Sequence, residues 1–313
     1  MTNKEFLFYY ESRQNPNGDP GFENQPRLMP DDTIIVTDVR LKRTIRDYAR
    51  EVRNQTIFVD FDEKGNAVTA DGRAEAIIGN LKNKDVIMEL IKKTFDVPLF
   101  GALVTVRSNE KGEGDSHKLT GPVQFGIARS VNKVKVINPT ITGRFVGKLG
   151  GGSKEHSTIG KFYSVEYALI KAYGAVTPRN LGRYLEPKNG CLDAFDKAEG
   201  MLFDCLWNGT NSLVSRSKYP QRSIFYIEVS YKSHLYNDLP SLVDESPEMK
   251  GWATSLSSSP FVFAKLTATL EKREQGIEGI KIAHCEDVSD DAEKLKTDLE
   301  TKGLKSKVEV VAC

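Results

Sequence analysis

Runs of apolar side chains divide the chain into recognisable elements from its beginning. Phe6-Leu7-Phe8-Tyr9-Tyr10 is an unbroken aromatic and aliphatic run that predicts a buried first strand. Asn15-Pro16-Asn17-Gly18-Asp19-Pro20 ends it, because these residue types accept positive φ or fix turns, and irregular structure is expected to continue to Pro30. A helix follows. Thr37 or Asp38 can cap its first turn, and Leu41, Ile45, Tyr48 and Val52 recur at the helical period as a core-facing stripe. Arg43, Arg46, Arg50 and Arg53 then fall on the opposite face with Lys42 on its flank, so one side of this helix is strongly basic.

Residues 57–93 read as a small strand-like piece, a turn at Lys64-Gly65-Asn66 and a helical stretch carrying Ile78, Leu81, Val86, Ile87, Leu90 and Ile91, together a helical insertion. A strand is expected over 99–106, a polar exposed loop over 109–115, and a further strand opening at Gly121. Over 131–136 apolar residues alternate with Lys133 and Lys135, the period of a strand with one wet, basic face. Residues 162–173 and 223–231 read as strands, and Leu192, Phe195, Ala198, Leu202 and Leu206 have helical spacing. The tail from 264 reads as strand, turn and strand to 282, a helix over 289–301 and a last strand at Val308-Glu309-Val310-Val311. Helices set among strands able to pair antiparallel give an α+β fold: a ferredoxin-like sheet of the kind found in RNA-recognition domains, with long insertions.

Composition narrows the function. The chain has 313 residues, 39% of them hydrophobic, which suits one large elaborated domain or two small ones. No apolar stretch approaches a membrane span and the polar start lacks a signal-peptide plan, so a cytoplasmic protein is expected. The four cysteines, Cys191, Cys205, Cys285 and Cys313, form no C-x-x-C pair and are expected to be reduced thiols. Lys+Arg 44 against Asp+Glu 43 leaves a net charge of +1, too little to hold a polyanion by bulk charge. Over 101–180, however, twelve Lys and Arg face five acids, a local +7, whereas Glu286, Asp287, Asp290, Asp291 and Glu293 cluster near the end. A basic working surface in the middle of the chain is the implication.

Catalytic chemistry is hard to assemble. His117, His156, His234 and His284 have no metal-ligand spacing to another His or Cys, and neither H-E-x-x-H nor G-x-S-x-G occurs. The glycines between Gly143 and Gly160 are interspersed with Arg144, Lys148, Lys154 and Lys161 as a basic loop or hairpin, without the Walker lysine motif of a nucleotide-binding loop. Asp19, Asp31 and Asp32 lie in loops beside basic residues and could in principle act on an RNA 2′-hydroxyl, although Asp19 also reads as a turn residue. What remains is binding chemistry: cations for phosphates, a Gly-rich basic loop, and side chains such as Phe145 interspersed with charge. Neither metal nor cofactor is expected.

Several motifs in order carry a resemblance. They are Asn15-Pro16-Asn17-Gly18-Asp19-Pro20, Pro26-Arg27, Thr37-Asp38-Val39-Arg40-Leu41-Lys42-Arg43 with Arg46-Asp47-Tyr48, Leu99-Phe100-Gly101, Thr120-Gly121-Pro122-Val123-Gln124-Phe125, and Ile159-Gly160-Lys161 running on through Tyr163, Val165, Tyr167 and Leu169. Over residues 6–173 the chain resembles the CRISPR-associated backbone subunit of type I Cascade complexes, in the branch found with subtypes I-B and I-C, within the RAMP superfamily; the match weakens after about Tyr231.

The resemblance implies a hand: a palm of RNA-recognition fold formed by 1–56 and 99–138 and completed within 162–313, which also holds a C-terminal extension, helical fingers over 57–98 and a thumb hairpin over 139–161. It implies a non-catalytic protein whose copies line a CRISPR RNA, present its spacer for pairing with target DNA and join other Cascade subunits. RNA contacts are then expected from Arg13, Arg27, Lys42, Arg43, Arg46, Arg50, Gln124, Lys133, Arg144, Lys148 and Lys161, with Leu103 and Phe145 as candidate wedges at a kinked base step. Two other readings stay open: a type III-like backbone subunit that cuts target RNA with Asp19 or Asp31, and a stand-alone RNA-recognition-fold protein that binds cellular transcripts.

Overall fold

The computed structural model describes residues 2–62, 64–82, 84–107, 114–146 and 157–313. The first strand, β1 (Asn3–Ser12), lies at the middle of the main sheet. After the loop come the short strand Ile35–Val36 and helix α1 (Asp38–Glu51). The insertion contains two helices, α2 (Ala70–Ile78) and α3 (Val86–Lys93), and the turn at Gly65 adopts a positive φ of 79°. Strands β2 (Gly101–Arg107) and β3 (Gly114–Thr120) pair as an antiparallel ribbon, with Val123–Phe125 and β4 (Ala128–Ser130) beyond them. A second antiparallel ribbon joins β5 (Thr140–Val146) to β6 (Ser157–Lys161). Then follow β7 (Ala168–Val176), helices α4 (Cys191–Gly200) and α5 (Leu202–Asn211), and β8 (Gln221–Tyr231). The chain closes with α6 (Ala264–Lys272), β9 (Ile277–His284), α7 (Ser289–Leu299) and β10 (Val308–Ala312).

The main sheet runs β10-β9-β8-β1-β7-β4 and ends on Ile35–Val36, with Val123–Phe125 also paired to β7. Within it β8, β1, β7 and β4 pair antiparallel. Numbered by their order in the chain these four strands lie 4-1-3-2, with α1 between the first and second and α4–α5 between the third and fourth, which is a split βαβ arrangement. The tail extends the sheet by β9 and, after the α7 crossover, by β10 parallel to β9. The protein is thus α+β with a mixed central sheet.

Strand β1 explains why the sheet is buried. Phe6, Phe8 and Tyr10 enter one core with α1, α3 and α5, and Leu7 and Tyr9 enter a second core with α6 and α7. The alternation of a strand thus serves two apolar layers at once. Opposite Phe6 stands Gly174, where a Cβ would come within 2.2 Å of the Phe6 ring. Glu5 ties the tail to this strand: its buried carboxylate accepts from the backbone N–H groups of Tyr236 and Asn237, each at 2.7 Å. With both faces covered, the sheet leaves its loops, edges and ribbons as the surfaces open to a ligand.

Several expected elements differ. Residues 264–272 are helix rather than strand, because Phe263, Leu266, Thr267 and Leu270 are the buried positions and follow the helical spacing. Residues 131–135 form no strand despite the buried alternation of Asn132 and Val134: their N–H groups go to Leu169, Gly251 and Asp32 in turn, not to one partner strand. The stretch Asp96–Phe100 is a short helix, so the strand expected from 99 begins at Gly101. The loop expected over 109–115 lies almost wholly outside the described residues.

Candidate nucleic-acid interface

Helix α1 turns Leu41, Thr44, Ile45 and Ala49 inward. Tyr48 is half-buried and packs over Gly209 of α5, whereas Val52 lies past the helix end and is exposed, which shortens the predicted stripe. Thr37 occupies the cap position without a side-chain capping bond. The basic face is present, but it is not free. Lys42 pairs with Asp38 at 3.0 Å, Arg43 with Asp47 at 2.6 Å, Arg50 with Asp60 at 2.5 Å and Arg53 with Asp204 at 2.7 Å. Burial pushes Asp60 up, yet its hydrogen bonds and the nearby guanidinium groups hold it below the usual carboxylate range. Exposed pairs are worth only about 0–1 kcal/mol; among these, the Asp60 side chain is itself buried. Arg46 differs, because its partner Asp96 is completely buried.

Beside the N-terminal end of α1 the balance reverses. The loop opening with Asn15 folds back on itself, Asn15 Nδ2 donating to the Asn24 carbonyl, and Gly18 fits only without a side chain, since a Cβ would lie 2.7 Å from that oxygen. Asp19 accepts from Gly21 N–H and pairs with Arg27 at 3.0 Å. Lys218 reaches into this loop and donates to the Asn15 carbonyl at 2.9 Å. The Arg40 guanidinium donates to the Thr44 hydroxyl at 3.0 Å. Among the described residues neither cation has a carboxylate within 4.0 Å. Burial and then the Arg40 charge push the Lys218 ammonium down to about 8, and burial lowers Arg40 as well. Asp47 acts on Arg40 only from beyond ion-pair distance, and two neighbouring cations without a paired carboxylate attract an anion. Neither residue is among the contacts expected from the sequence: Arg40 stands inside the Thr37–Arg43 motif, and Lys218 comes to it from far along the chain with no local pattern.

The other expected contacts are dispersed around this region. Lys161, at the end of the β5–β6 ribbon, pairs with Glu23 of the loop at 2.9 Å, and Tyr163 donates to the same carboxylate at 3.1 Å. Gln124 is exposed, its amide folded onto the Gly121 carbonyl at 2.9 Å. Arg13 and Lys133 converge elsewhere, around Tyr167 and Trp252. Leu103 is 58% exposed on β2. Arg144 and Phe145 lie on β5, where only the backbone is described, and Lys148 lies outside the described residues.

The aspartates are committed to structure. Asp31 accepts from the Thr33 hydroxyl at 2.7 Å and pairs with Arg129, and these bonds hold its carboxyl down to about 2. A carboxylate that acidic is a weak base toward a ribose hydroxyl. Asp32 pairs with Lys133 at 3.4 Å. Among the described residues no group of three or more His, Cys, Asp and Glu side chains could hold a metal ion, and no helix is long and apolar enough to cross a membrane.

Comparison with known proteins adds the following. Residues 2–256 match the family described as CRISPR-associated protein Cas7. A protein of that description from Haloferax volcanii is 27% identical over 308 residues, covering 91% of this chain and 86% of the relative. Among solved structures, a chain from "CRISPR RNA-guided surveillance complex, pre-nicking" aligns with a TM-score of 0.50 at 13% identity, covering 90% of this chain and 92% of the other. At that identity the likeness concerns the fold.

Proposed function

The chain belongs to the Cas7 family of CRISPR-associated proteins, and on that premise we propose that it is the non-catalytic backbone subunit of a type I Cascade complex, with copies lined up along a CRISPR RNA. The observation that carries the RNA-binding part is the pair Arg40 and Lys218, two partly buried cations beside the Asn15–Asp19 loop with no carboxylate of their own among the described residues. A phosphodiester supplies the missing charge without regard to base identity, as a guide of varying spacer requires. Arg27, Lys42 and Arg43 extend that track by exchanging partly exposed carboxylates for phosphates, as does Arg50 by exchanging Glu51.

In this reading the split βαβ sheet is the palm, residues 57–98 are the fingers and 139–161 the thumb, whose base is tied to the palm loop by Lys161 and Glu23. Leu103 and Phe145 are the wedge candidates, Arg144 and Lys148 thumb contacts, and Gln124 a palm contact. Assignment to the I-B/I-C branch rests on the ordered motifs of residues 6–173. Target DNA is read by pairing with the guide, and further copies and other Cascade subunits are the protein partners. Asp31, held ionised by Arg129 and Thr33, fits a binding role better than RNA cleavage.

The test is expression in a host with and without a CRISPR array, followed by sequencing of copurified RNA. Repeat–spacer RNA of uniform length is the expected result; assorted messenger fragments would favour the stand-alone RNA-binding reading.

A further inference from the structure

Several large aromatic side chains stand outside both cores, Phe22, Phe61, Tyr219 and Trp252 among them. Trp252 is 57% exposed, on a loop that is fixed in place. The Gly251 carbonyl accepts from Lys133 N–H at 2.9 Å, and the fully buried Asn132 side chain donates to the carbonyls of Ala253 and Tyr167, at 3.3 and 3.0 Å. A ring on a clamped loop stays exposed without freedom to fold away. Beside it opens a pocket of about 110 Å³ lined by Tyr167, Lys133, Lys135 and Trp252 itself.

The charges around this ring select its ligand. Lys133 Nζ lies 5.6 Å from the Trp252 ring centre. The Arg13 guanidinium lies 5.1 Å from the Tyr167 ring centre and donates to the Thr254 carbonyl at 3.2 Å. The nearby acids are Asp32, on Lys133, Glu166, on the pocket wall, and Glu11, which acts on the Tyr167 hydroxyl and pairs with Arg222 at 3.0 Å. Neither Arg13 nor Lys135 has a carboxylate partner among the described residues. The pocket beside the ring carries two lysines, Lys133 and Lys135, against one acid, Glu166, and little apolar surface for a protein partner. An aromatic face bordered by Lys133, which pairs with Asp32 at 3.4 Å, and by Lys135 and Arg13, which have no ion-pair partner among the described residues, offers what one base of a single strand and its flanking phosphates require.

We propose that Trp252 stacks one base of a single-stranded nucleic acid, with Lys133, Lys135 and Arg13 facing its phosphates. The site rests on the nucleic-acid reading above but is distinct from the Arg40–Lys218 pair, and it uses the tail-side segment that the ordered motifs do not cover.

The two tryptophans make the test direct, because Trp207 is buried and iodide reaches only Trp252. The full-length protein is titrated with single-stranded RNA and DNA oligonucleotides, binding being followed independently by anisotropy of a labelled strand. Protection of Trp252 from iodide should follow the anisotropy curve, Trp252→Phe should bind almost normally, and Trp252→Ala should lose affinity about tenfold. Circular dichroism checks that the variant is folded. Binding by anisotropy with unchanged iodide quenching, or with Trp252→Ala equal to the parent, overturns the stacking site and leaves the nucleic-acid reading intact. Protection that grows with protein concentration in the absence of oligonucleotide also overturns it, assigning the ring to a second copy. No binding in any assay would overturn the nucleic-acid reading and the site together.

Discussion

Arg46 Nε donates to Oδ2 of Asp96 at 2.7 Å, and Asp96 is completely enclosed. The same carboxylate accepts from the Phe58 and Val59 N–H groups at 2.7 and 3.1 Å, so it fixes the start of the 57–98 insertion against α1. Removing the arginine leaves a buried carboxylate without its cation. Arg46→Ala should therefore lower unfolding free energy by about 3–5 kcal/mol in urea titration, while leaving the salt dependence of RNA binding by the folded fraction unchanged. A stable variant with a reduced salt slope would make Arg46 a phosphate contact instead.

Arg40 and Lys218 should behave in the opposite way. Each substitution to Ala should reduce the slope of log K against log salt by roughly 0.7 per lost phosphate contact on a single strand, equally for unrelated sequences. Neither should destabilise the protein strongly, because each removes one member of a like-charged pair. Affinity and slope equal to the parent would move the groove elsewhere.

The depressed Lys218 value predicts a pH signature. Its folded value of about 8 lies below its ordinary 10.5, so between those limits the unfolded chain binds the extra proton and stability rises with pH. Below about 8 the ammonium is charged in both states and its desolvation cost is paid in full. Lys218→Met should abolish this rise in thermal scans, and RNA affinity of the parent should fall as pH climbs past about 8.

Gly101 and Gly121 predict a purely structural defect. A Cβ on Gly101 would meet the Leu119 carbonyl at 2.2 Å, and one on Gly121 would meet the Gly101 nitrogen at 2.4 Å. The two glycines thus allow each other's backbone to approach, and Gly101 also holds a positive φ of 79°. Gly121→Ala should cost at least about 1–3 kcal/mol by denaturant titration, with no change in the salt slope of binding.

This pair also indicates what the sequence could reveal. The Leu99-Phe100-Gly101 and Thr120-Gly121-Pro122 motifs were legible as motifs, but only the pairing of Gly101 with Thr120 relates them to each other. Strand β1, helix α1, the last helix and the last strand were readable from apolar spacing, because burial follows the local period there. The 264–272 segment was not: Ala264, Leu266, Ala268 and Leu270 alternate like a strand, while the positions the core uses are 263, 266, 267 and 270. The candidate site was half legible. Cations on α1 could be listed, but whether each has an acid depends on Asp60, Asp96 and Asp204, which reach it from other elements, and Lys218 reaches Arg40 only through the fold.

The central claim is that copies of this chain line a guide RNA, and native mass measurement of complexes assembled on guides of increasing spacer length tests it most directly. The account predicts a copy number that rises stepwise with spacer length on a single guide. A monomer on every guide, or a copy number indifferent to length, would contradict it.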